Sequence, residues 1–105
     1  MNLLPGIKKL TMAGTQTVGS NVNAIRIFDM HLVSGNSANN FYFYNGGATT
    51  GALLFQLDGV ANVGVTQSFA GGLRFDNGCA AVATTGLGSA TTSAGFCTIV
   101  YTEEF

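Results

Sequence analysis

His31 is the one histidine of this 105-residue chain, and Cys79 and Cys97 are its two cysteines. A thiolate activated by an imidazole is the most reactive arrangement these residue types could build, with the thiol as nucleophile and the ring as its base. Such a pair also needs a group to orient the ring and donors for an oxyanion, and the sequence points to neither. A single histidine in an apolar strand reads instead as a hydrogen-bonded core or interface residue. Metal binding fares no better, because zinc ligands usually arrive as close-spaced pairs and these are scattered. Asp29, Asp58 and Asp76 stand in or beside strands and turns, with no second carboxylate nearby in sequence for acid–base work. Gly46-Gly47 and Gly71-Gly72 precede no helix that could hold a phosphate at its N-terminus. The reading is a non-enzyme with no catalytic residues, no cofactor and no metal.

Phe41-Tyr42-Phe43-Tyr44 offers another chemistry. Phenol rings exposed on a flat face could stack on sugars, which would make a carbohydrate- or receptor-binding module. The competing reading is a strand with phenylalanine in the core and tyrosine at a subunit interface, where aromatics concentrate. The second reading is preferred.

Composition sharpens that preference. Charged residues are only 9% of the chain, hydrophobic residues 47%, and the formal net charge is −1. An ordinary soluble domain carries roughly a quarter charged residues. A domain of this size keeps roughly a third of its unfolded-chain surface exposed, so its skin must be largely uncharged. Large uncharged, partly apolar surfaces mark contact with other proteins, and the expectation is an oligomer or assembly subunit. Lys8, Lys9, Arg26 and Arg74 form no basic stripe, which argues against nucleic acid as a partner. No apolar run approaches the roughly 20 residues that span a membrane, so no membrane partner is expected. Met1 to Pro5 lacks the features of a signal peptide, so synthesis in the cytosol is expected, and with it free thiols at Cys79 and Cys97.

The elements that must position these residues are strands. Ile7–Met12 forms an edge-like strand behind a tail of residues 1–6, and a short strand is expected around Gln16–Val18. Ala24–Val33 is the first strong one. Strict alternation puts Ile25, Ile27, Asp29, His31 and Val33 on one face and Ala24, Arg26, Phe28, Met30 and Leu32 on the other. Neither face is polar throughout, which predicts a strand covered on both sides. Phe41–Tyr44, Ala52–Asp58, Val63–Phe69, Leu73–Phe75, Cys79–Ala83 and Gly95–Thr102 follow, separated by Gly, Asn and Asp turn signals. Residues 86–95 read as a loop. The result is one all-β domain over residues 1–105, an antiparallel β-sandwich or jelly roll of seven to eight short strands.

Gly71-Gly72-Leu73-Arg74-Phe75-Asp76-Asn77-Gly78, a small-residue strand to Thr84, a Thr/Ser/Ala loop and then Thr98-Ile99-Val100-Tyr101-Thr102-Glu103-Glu104 resemble the C-terminal half of small tailed-bacteriophage structural proteins. Ile99 stands where that pattern has valine. In the N-terminal half, Tyr44-Asn45 before a small-residue loop is similar in style. The resemblance implies a β-sandwich virion component, above all a decoration (cement) protein on the capsid surface that stabilises the head lattice. Its implied partners are further copies of itself, as a homotrimer, and the major capsid protein. A tail or baseplate subunit is the alternative, and a glycan-binding virion module a further one. The expected contact residues are Leu3, Leu4 and Ile7 near the N-terminus, the Tyr42/Tyr44 face, and Arg74.

Overall fold

A computed structural model describes residues 3–11, 16–19, 23–35, 39–48, 50–85 and 95–104. Among the described residues eight strands follow in order: β1 Leu3–Thr11, β2 Gln16–Val18, β3 Ala24–Val33, β4 Asn39–Asn45, β5 Ala52–Asp58, β6 Gly64–Phe75, β7 Cys79–Thr85 and β8 Phe96–Glu104. The pairing is nested: β1 with β8, β2 with β7, β3 with β6 and β4 with β5, all antiparallel. The polypeptide is therefore a long ribbon folded back at the β4–β5 connection. Two further antiparallel pairings, β3 with β8 and β4 with β7, roll that ribbon into two sheets. The first has the order β1-β8-β3-β6 and the second β2-β7-β4-β5.

One core lies between the sheets. Leu10, Ile25, Ile27, Met30, Leu32, Phe75, Cys97 and Ile99 come from the first sheet, and Val18, Phe41, Phe43, Cys79, Ala81 and Ala83 from the second, all nearly inaccessible to water. Size complementarity explains the alanines: Ala81 and Ala83 on β7 are register partners of Phe43 and Phe41 on β4, so small side chains leave room for the rings. The two long sides are closed differently. On one, Lys8 Nζ of β1 donates to the Thr17 carbonyl of β2, at 2.9 Å. On the other, Phe55 of β5 meets Phe69 of β6 edge to face, with ring centroids 5.2 Å apart.

Three expectations change. Residues 3–6 are not a tail, because Leu3 to Gly6 pair with Glu104 to Tyr101. Pro5 is tolerated since β1 is an edge strand and a missing N–H can face outward. The Gly71-Gly72 pair does not separate two strands. Both lie inside β6 at positive φ (77° and 84°), where glycine escapes the Cβ clash. A Cβ at Gly72 would also strike the Arg26 side chain, with Phe28 close by.

The third change concerns β3. Its pairing shifts register between Ile27 and Asp29 with both neighbours, so Phe28 is a bulge and the alternation changes phase there. Ile25, Ile27, Met30 and Leu32 all point into the core at 1% exposure or less. Asp29 and His31 are exposed on the other face. The mixed faces of the unbroken alternation are a phase error that one extra residue corrects. They do not require a partner on the second side.

All four sheet edges are blunted, each by a different device. β1 carries Pro5, Lys8 and Lys9. β2 is three residues long. β5 is bulged at Leu54, where its register with β4 shifts. On β6, residues 69–72 stand opposite the single residue Phe28. Strand addition by another protein is opposed on every side, which leaves faces and ends as the surfaces for contact.

Candidate functional site

The groups that could do chemistry are kept apart. Alternation along β3 turns His31 outward, where its Nδ1 lies 2.9 Å from Thr66 Oγ1. Cys97 on β8 is the register partner of inward-facing Leu32, so it sits on the opposite face of the same sheet. Both cysteines are free thiols with no exposed surface. Burial pushes each thiol up to about 12, with Cys97 adding to the effect at Cys79. A thiol held so far above neutral pH carries almost no thiolate, and so is a poor nucleophile. No set of three His, Cys, Asp or Glu side chains able to hold a metal occurs among the described residues.

The acids serve local contacts. Asp29 accepts from Ser68 Oγ. Asp58 accepts from Gln56 Nε2 at 2.9 Å and from Asn40 Nδ2 at 2.6 Å, and these two bonds, Gln56 first, hold its carboxyl below the usual aspartate value. Arg74 donates to Glu104 at 2.8 Å and lies 3.4 Å from Asp76. Arg26 donates to the Gly71 carbonyl at 2.9 Å and stands 4.0 Å from Glu104. This four-residue charge cluster is close to neutral and tethers the β6 bulge to β3. Glu103 is buried on the core side of β8, and Asn23 Nδ2 donates to it at 2.9 Å.

What remains as a candidate site is surface. Among the described residues seven large apolar side chains are exposed: Ile7, Leu53, Leu54, Val60, Val63, Phe96 and Val100. On the outer face of the first sheet, Ile7 and Val100 are register partners across β1 and β8. Phe96 lies further along the same strand, with the Lys9 ammonium 5.3 Å from its ring centroid, near enough for a cation–π contact. Leu53 and Leu54 sit at the β5 bulge, and Val60 and Val63 in the β5–β6 connection.

The expected contact residues do not form one surface. Ile7 is 75% exposed and Arg74 is also exposed, and both lie in the first sheet, on its two opposite edge strands. The tyrosines belong to the outer face of the second sheet, across the sandwich. There Tyr42 and Tyr44 stack at a tilt, centroids 6.4 Å apart, beside their small register partners Val82 and Ala80. Tyr42 is only 8% exposed and Tyr44 half-buried. A ring so covered offers little area to a sugar, so the stacking platform lacks one of its two rings. The side chains of Leu3 and Leu4, and residues 86–94 of the loop expected over 86–95, lie outside the described residues. Phe96 and Val100 could have been found from the sequence: they are outward positions of a strand whose inward positions are Cys97 and Ile99.

The sequence matches no family model, and searches among curated proteins and solved structures return no match.

Proposed function

We propose that this protein is a structural subunit of a virion, a decoration protein that lies on the outside of a capsid and stabilises its lattice. The observation that carries the reading is the surface. Among the described residues seven large apolar side chains stand exposed, on a protein with four basic and five acidic residues, a skin poorly suited to water alone. The nested strand order supports it as well: we read it as a jelly-roll wrap, an architecture used by viral shell proteins among others. Because a fold hosts many functions, the weight rests on the surface and on the resemblance of residues 71–104 to tailed-phage structural proteins.

The mechanism is mass action. A protein that binds only the assembled shell lowers the free energy of that state relative to broken ones. Many copies in one lattice make modest individual contacts sufficient. Contact through faces suits such a role, since the blunted edges discourage open-ended strand addition.

Quantitative mass spectrometry of purified particles from the source tests this reading. A decoration protein is present in numbers comparable to the main shell protein. A scarce copy number would move the protein to the tail, and absence from particles would reject the virion reading.

A further inference from the structure

Two Asn-Gly pairs, Asn45-Gly46 and Asn77-Gly78, meet at one end of the sandwich, where β4 ends and the β6–β7 turn begins. Asn-Gly is the dipeptide most prone to spontaneous deamidation, because glycine leaves its own amide unhindered. The two pairs are bound to each other. The Asn77 N–H donates to Asn45 Oδ1 at 2.9 Å, and the Gly46 N–H donates to the Gly78 carbonyl at 2.9 Å. The second bond extends the β4–β7 ladder one step beyond the Asn45–Cys79 register pair.

The consequences for the two sites differ. At Asn45-Gly46 both reacting groups are held: Asn45 Oδ1 is fixed by one bond, and the attacking amide is spent as donor in the other. At Asn77-Gly78 the Asn77 side chain is exposed and has no hydrogen-bond partner among the described residues. Gly78 has φ 92°, so the turn itself demands the residue that makes the site labile.

We propose that Asn77 is a site of spontaneous deamidation, and that its conversion releases Asn45 to follow, in that order. The Gly78 amide nitrogen attacks Asn77 Cγ, forming a new bond as the bond from Cγ to Nδ2 breaks. The attacking nitrogen loses its proton to solvent, and the leaving group departs as ammonia. Water then opens the succinimide at either carbonyl, giving aspartate or isoaspartate. The net change is consumption of one water and release of one ammonia. Isoaspartate adds a methylene to the backbone between the Asn77 N–H and the Gly78 carbonyl, the two groups that hold Asn45-Gly46 shut. The new carboxylate also stands next in sequence to Asp76, a partner of Arg74, and adds one negative charge to the turn.

The test is a time course of the full-length protein in mildly alkaline buffer, with peptide mapping that separates aspartate from isoaspartate at each site. In the native protein Asn77 should convert about tenfold faster than Asn45, equivalent to about 1.4 kcal/mol of opening cost. Molecules converted at both sites should appear after those converted at Asn77 alone. The Asn77→Ser variant keeps the donor N–H and removes the first step, so Asn45 should stay intact for longer than in wild type. In denaturant both asparagines should convert at comparable rates. Conversion of Asn45 first, equal native rates, an Asn45 rate unchanged by Asn77→Ser, or native Asn77 stable while the denatured protein converts would each overturn the proposal.

Discussion

Replacing Ile7 by threonine separates contact between protomers from folding. Ile7 is 75% exposed, so the isolated protomer gains only a minor part of what its burial can supply. Full burial of such a side chain is worth about 1.5–3 kcal/mol, and three quarters of that, about 1–2 kcal/mol, is realised only when another surface covers it. Threonine keeps the β-branch that suits a strand and removes the apolar bulk. Folding stability should therefore change by less than about 0.5 kcal/mol, as at ordinary surface positions. Association through this face should weaken by about 5- to 30-fold. Chemical denaturation measures the first quantity and sedimentation velocity over a dilution series the second. If association is unaffected while folding is intact, the Ile7–Val100 face is not the covered one. If folding itself fails, the exposure argument is wrong at its base.

Arg74→Ala removes the partner of Glu104 and Asp76, but the site is exposed. The cost should be below about 1 kcal/mol and should shrink as salt is added; denaturation at two ionic strengths measures both. Phe69→Ala deletes the ring that closes the β5–β6 side against Phe55, and because Phe69 is only partly buried the loss should be about 2–3 kcal/mol, at or below the low end for aromatic truncation, read as a fall in denaturation midpoint. Cys79 and Cys97, pushed up to about 12 by burial, should resist a thiol reagent at neutral pH until denaturant opens the core; rapid labelling of the native protein would contradict their placement. At Asp58 the folded carboxyl titrates below its unfolded value of 3.8. Its stabilising share is thus present above that pH and lost as pH falls through the folded value, so Asp58→Asn should flatten the acid limb of a stability–pH curve.

Much of the fold can be read from residue order because β-structure has a simple period. Phe41 and Phe43 face the core and Tyr42 and Tyr44 the other side of the sheet, as alternation requires. The turn at residues 76–78 and the short strand Gln16–Val18 were legible for similar reasons. Bulges were not. Nothing in Ile27-Phe28-Asp29 announces the extra residue, and one missed residue inverts every later side chain. Gly71-Gly72 reads as a break because glycine usually ends elements, yet here it lets the edge strand bow over Arg26 and Phe28. Pro5 reads as outside any strand because its lack of a donor matters only where a neighbour needs one. The candidate surface was half visible. The shortage of charge is a property of composition, but which apolar residues escape burial depends on the register of β1 against β8 and on the β5 bulge.

Sedimentation equilibrium of the purified native protein over the micromolar range tests the central claim most directly, that a skin this poor in charge is covered by other protein. The expected result is a stable assembly whose mass is a whole multiple of the protomer, with a trimer as the expected multiple. A folded protein that stays monomeric through that range would contradict it.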